Sequence, residues 1–278
     1  MIDSPYTIVC SRPSNISLQV PESLRVGPWS RLGMSYLFIV LCSVCMGLAW
    51  WRTQPIQSMD LEYDAVGTTL WYYNVVGFIW TTHVSMAVFL GPVGLKAWAT
   101  FTMWSWTFLN LRYGLSALAP LTSKGAMLLS FLEYSRFPTL ILATVTFVMF
   151  NFVIAPFIYF FGMKTPQKKA NFLKFMTSFR LMQLHGFNIF LAIGNCVVAS
   201  PSRELNVGDF FMSLLVVLLY LLFYLLVLDR IGVHLYPVLS PRTPWLILPL
   251  TFLICTFIGG FFFWNEILSK GEWRKRFV

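Results

Sequence analysis

Charge is what this sequence has least of. Only 11% of its 278 residues are charged, where a water-soluble domain carries about a quarter. Beside 57% apolar residues, that shortage excludes a disordered chain and argues against a soluble enzyme. Histidine is scarce too: His83, His185 and His234 are the only three. The five cysteines (Cys10, Cys42, Cys45, Cys196 and Cys255) sit mostly inside apolar blocks. Cys42 and Cys45 form a C-x-x-C, but no second pair or nearby His completes a zinc site, so the pair reads as helix packing and no metal is expected. No G-x-S-x-G elbow, H-E-x-x-H pair or internal repeat is present. The basic excess, 20 Lys or Arg against 11 Asp or Glu, sits in short connections and the tail, which excludes a nucleic-acid-binding domain and suits anionic head groups. No cleavable leader is expected, because the first 31 residues are mixed and polar and the first apolar run begins late.

What the chain has instead is long uncharged runs, several exceeding the roughly 18 residues of a membrane-crossing helix. Their continuity excludes the short alternating strands of a barrel. The expected fold class is all-α: a polytopic transmembrane helix bundle of about seven spans. A polar segment, 1–31, precedes a helical domain, 32–265, and a basic tail, 266–278. The runs are Leu32 to Trp51, Leu70 to Leu90 with Gly91-Pro92 as its stop, Ala97 to Ala119 with Arg112 inside it, and Phe137 to Met163. Leu181 to Ser200, Phe210 to Leu228 and Thr243 to Asn265 follow. Pro156 should kink or end the fourth run, and Gly259-Gly260 offers a close-packing point in the seventh. Seven crossings carry a conflict. The basic 164–180 connection and the basic tail should both face the cytoplasm, yet seven spans put them on opposite sides.

Ionisable groups at membrane depth are functional candidates by default. His83 and His185 lie within expected spans, and two chemistries could use them. One is axial haem ligation by both. The other is hydrolysis, in which a His serves as base for a Ser or Thr hydroxyl. Counting alone does not choose among Thr81, Thr82, Ser85, Thr100, Thr102, Ser105 and Thr107. Most hydroxyls in membrane helices merely bond their own backbone carbonyls.

Three segments narrow the choice. Trp98-Ala99-Thr100-Phe101-Thr102, followed by Gly114-Leu115-Ser116, resembles the second helix of the androgen-induced gene protein family, with Trp98, Thr102 and Gly114 at the family's spacing. Gln183-Leu184-His185-Gly186-Phe187 resembles the helix carrying that family's essential His. Gly232-Val233-His234-Leu235-Tyr236-Pro237-Val238-Leu239 is similar to its G-x-x-x-Y-P-x-L element. The order agrees, and the likeness covers roughly residues 70 to 265.

The resemblance implies an integral membrane threonine hydrolase that cleaves fatty acid esters of hydroxy fatty acids without a cofactor. Thr102 would be the nucleophile and His185 the base, with no acidic third member. Trp98, Phe101, Trp106, Gln183 and Asn188 are the expected substrate-binding residues. Trp98 and Thr102 are four apart and so share a face, with Trp106 one turn further, and Gln183 or Asn188 could orient the imidazole or hold water. The chain departs from the family in three places. It has an additional N-terminal helix, Leu181 stands where the family has Asn four residues before its His, and the family's His pair before the Gly is replaced near Leu228-Asp229. The expected partners are membrane lipids and a lipid ester. The alternative is a non-enzymatic membrane subunit of a larger complex. An endomembrane or the plasma membrane is the favoured location, with the mitochondrial inner membrane reserved for the subunit reading.

Overall fold

The computed structural model describes residues 32–52, 65–122, 125–228 and 247–270. The G-x-x-x-Y-P-x-L segment and His234 lie outside the described residues, as do the first 31. The described chain is all-helical, and no strand occurs among the described residues. The helices are α1 (Leu32–Arg52), α2 (Thr69–Phe89), α3 (Phe101–Leu118), α4 (Gly125–Tyr134) and α5 (Arg136–Val148). They continue with α6 (Pro166–Met176), α7 (Phe179–Val198), α8 (Val207–Leu228) and α9 (Ile247–Lys270).

Four stretches are long and apolar enough to cross a membrane: Leu128–Phe160, which joins α4 to α5 and its continuation, then α7, α8 and Thr251–Lys270 of α9. They mark a membrane protein. The fourth and fifth expected runs coincide with spans, but the fourth begins earlier than Phe137. Pro156 does not end its helix. The backbone widens into π-turns at Met149–Ile154 and Ile158–Gly162 on either side of it and carries on. Widened turns relocate the backbone bonds that a proline removes. The last helix runs beyond the expected Asn265, to Lys270. α2 is helical where expected, α3 begins at Phe101 rather than Ala97, and Asn74, Thr81 and Arg112 load the two with buried polar groups.

α2 and α3 run antiparallel, their ends joined by Trp71 Nε1 donating to the Ala117 carbonyl at 3.0 Å and Trp106 Nε1 to the Thr81 carbonyl at 3.1 Å. Their contact is close. A Cβ at Gly77 would meet the Tyr113 ring at 2.3 Å, and one at Gly114 would meet the Phe78 ring at 2.9 Å. The Gly of the family-like spacing therefore serves helix packing. In the last helix, Gly260 alone of its pair is a packing point, since a Cβ there would strike Ile141 at 2.4 Å.

α7 follows α3 in parallel. Its polar side chains meet those of α3 in register: Thr102 with His185, Ser105 with Asn188, and Ser116 with Asn195. Asn195 also donates to Asn74 of α2 at 2.9 Å. In an apolar surrounding each of these groups needs a partner from a neighbouring helix, and the seam supplies it. The hydrophobic core lies between α3, α5, α7 and α9, around Trp106, Phe137, Leu140, Cys196 and Phe257.

A second polar assembly closes the far end of the bundle. Glu133, at the α4–α5 junction, receives Arg136 at 3.3 Å and is also paired with Arg203. Arg203 grips both oxygens of Asp209 at 2.7 Å. Arg112 of α3 donates to the Leu132 carbonyl and, at 2.8 Å, to Ser200. Burial would lower the pKa of Arg203, but Asp209 and Glu133 hold it above its ordinary value, so it stays charged. The charge that interrupts the third apolar run is thus paired inside the protein.

Candidate functional site

The α2–α3 connection sets the position of Thr102. Gly94, at φ +61°, turns the chain into a short 3-10 helix, Gly94–Ala99. Thr100 then becomes extended, at φ −83° and ψ 145°, and caps α3 by accepting from the Met103 amide. A threonine in this role satisfies one of the helix's unpaired first-turn amides. Thr102 follows in the first turn, its side chain buried towards α7.

This break corrects one expectation. Trp98 precedes it, so it does not share a helical face with Thr102. Trp98 is exposed, with its indole donating to Thr107 at 3.2 Å. Trp106 is on the same helix as Thr102 but fully buried and engaged with Thr81. Phe101 packs edge-on against Tyr220 of α8.

Thr102 Oγ1 lies 3.1 Å from His185 Nε2, both residues being buried. His185 sits in a π-turn of α7, Gln183–Phe187. Its other ring nitrogen, Nδ1, lies 3.3 Å from the Leu181 carbonyl oxygen. A carbonyl only accepts, so this contact places the proton on Nδ1 and leaves Nε2 as an acceptor. Nε2 therefore accepts from the Thr102 hydroxyl. The imidazole is held in the base-competent tautomer by backbone, at the position where the resemblance leads one to expect an Asn side chain. Phe150 stacks on the ring, with centroids 3.5 Å apart and planes 25° apart. Asn151 Nδ2 donates to the His185 carbonyl at 2.8 Å. Both come from the π-turn Met149–Ile154, so widened turns on two helices meet at the histidine. Such turns occur often at functional sites.

The other expected binding residues do different work. Gln183 accepts from the Trp80 indole at 3.1 Å rather than orienting the imidazole. Asn188 Nδ2 donates to Ser105 at 3.1 Å, and its Oδ1 is buried with no hydrogen-bond partner among the described residues. Neither touches the imidazole of His185 by a hydrogen bond.

The remaining hydroxyl candidates are satisfied elsewhere. Thr81 donates to its own helix and faces Asn110, as Thr82 does; Ser85 and Thr107 bond the carbonyls four residues back. Among the described residues only Thr102 pairs with a histidine. His83 is exposed, its nearest ring partner being Trp80 at 6.2 Å. The two histidines thus occupy different surroundings, and haem ligation by both would require His185 to release Thr102.

Sequence reasoning missed Phe150, Trp80, Asn151 and the Leu181 carbonyl. A backbone acceptor has no sequence signal, and Phe150 is one of 27 phenylalanines. A half-buried Asn within the proline-bearing helix is the one usable clue. Compared with known protein families, curated proteins and solved structures, the chain matches none.

Proposed function

We propose that this protein is a multi-pass membrane hydrolase of lipid esters, with seven crossings, Thr102 as nucleophile and His185 as general base. The observation that carries the reading is the 3.1 Å contact from Thr102 to an imidazole whose Nδ1 is bonded to a carbonyl. A threonine hydroxyl is weakly nucleophilic at neutral pH and needs such a base. His185 Nε2 takes the hydroxyl proton as Oγ1 attacks the ester carbonyl. The proton then passes to the departing alkoxide, so an alcohol leaves and an acyl-threonine remains. Water attacks that ester with His185 again as base, releasing a fatty acid and returning the proton to Oγ1.

The site lies among apolar helices, which fits an ester that reaches it by diffusion within the bilayer. The substrate class is a fatty acid ester of a hydroxy fatty acid or a similar acyl ester. No metal or cofactor enters this chemistry. Labelling of the purified protein by a fluorophosphonate, mapped to Thr102, lost in Thr102→Ala and strongly slowed in His185→Ala, is the expected result. Full lipid-ester hydrolysis by both variants would end the reading, and a multi-pass protein without this chemistry would remain.

A further inference from the structure

We infer that the end of the bundle carrying Thr102 and His185 docks on an anionic phospholipid surface, with α6 as the principal contact. Among the described residues of the two connections at this end, the electrostatics are one-sided. The chain has no Asp or Glu between Asp64 and Glu133, and none between Glu133 and Glu204. Both described connections at the site end fall within those acid-free stretches. With the first turn of α7, they carry Lys96, Lys164, Lys168, Lys169, Lys174 and Arg180. No acidic side chain pairs with any of the six among the described residues.

The arrangement of α6 points these charges outward. Thr165 caps the helix and Pro166 opens it. At eleven residues, about 16 Å by helical rise, it is too short to cross a bilayer. Phe172 is buried, with its ring 6.4 Å from that of Tyr159 at the end of the Leu128–Phe160 span. Lys169 lies over the same tyrosine ring at 5.1 Å. These contacts fix the helix against the bundle and leave Lys168 and Lys174 exposed, with Leu173 half-exposed between them and the apolar residues Phe179 and Met182 beyond. Arg180 continues the basic patch beside Gly91 of the α2–α3 connection. A helix with basic residues and apolar neighbours at the boundary of a membrane bundle complements phosphate-bearing, net-negative head groups. A span-length apolar helix ends at this edge, so lipid is the partner the position favours.

Docking of this kind sets orientation: the site end becomes the end facing the anionic leaflet. It is independent of the hydrolase reading, since it uses no residue of the Thr102–His185 pair.

The test uses the full-length protein in mixed micelles of phosphatidylcholine and phosphatidylserine, with retained lipid measured by native mass spectrometry. The wild type is expected to retain phosphatidylserine preferentially, and added salt should weaken the preference. Lys168→Gln, Lys169→Gln and Lys174→Gln combined should lower it roughly a hundredfold, about fivefold per lysine. Arginine at all three positions should keep it, and Lys270→Gln at the opposite end should leave it unchanged. A wild type with no preference overturns the inference, as does a triple Gln variant that keeps the full preference. Displacement of the lipid by millimolar inorganic phosphate would also overturn it, replacing a lipid surface with a free-phosphate site.

Discussion

The two ends of this bundle handle charge in opposite ways. At the far end, Arg112, Arg136 and Arg203 are folded inward and matched by Glu133 and Asp209. At the site end, six cations lie in acid-free stretches, and the polar pair that matters is a neutral hydroxyl and imidazole. Buried charge pairs cost much to desolvate but are worse to break. They tie four segments together at one end. A neutral pair costs less to bury, which leaves a hydroxyl available for chemistry at the other. Under the proposed hydrolase reading, stability and reactivity fall at different ends.

That division can be broken from either side. The largest effect is expected at the pair: Thr102→Ala should abolish covalent labelling, and His185→Ala should slow it by about 10² to 10⁴, the usual worth of a positioned base. Thr102→Ser, which keeps the hydroxyl, should retain labelling. Next comes the ion cluster. Arg203→Met leaves Glu133 and Asp209 buried with less compensation and should cost about 3–5 kcal/mol of stability. Thermal unfolding in detergent checks this, and the folded fraction should label at Thr102 at the wild-type rate. Equal losses of labelling and stability in Arg203→Met would show that the ends are not separable.

Smaller effects sharpen the comparison. Gly194→Ala places a Cβ 1.9 Å from the Tyr73 hydroxyl and should destabilise by about 1–3 kcal/mol through forced repacking of α2 on α7. Asn151→Ala removes the bond to the His185 carbonyl, worth about 0.5–1.5 kcal/mol. A several-fold fall in labelling rate with a small loss of stability is expected. Trp98→Phe should change labelling least, within about twofold, because the Trp98 side chain is exposed and bonded to Thr107 rather than to the pair. A large loss of labelling in that variant would return Trp98 to the site.

The helices themselves were legible because apolar runs of that length have few other folds available. Arg112 shows where that legibility ended. Along the chain it interrupts a span; in space it meets Ser200 and the Leu132 carbonyl, from segments 88 and 20 residues away. Trp98 shows the same limit in reverse. Its spacing to Thr102 was read correctly, but a single extended residue, Thr100, removed it from the helix. Gln183, expected to bind substrate or orient the imidazole, instead accepts from Trp80, 103 residues away.

By itself, the sequence determined the all-helical class, the membrane setting and the acid-free basic connections, because these depend on local composition and run length. Only the tertiary structure decided that Thr102, among seven hydroxyls, meets His185, and that His185 carries its proton on Nδ1. Those outcomes depend on the register between parallel helices whose paired residues are 83 positions apart in sequence and on the contact of the His185 ring with the Leu181 carbonyl. Motif spacing singles out Thr102 and His185 as residues, but their contact and the place of the proton are set by side chains packing across the bundle.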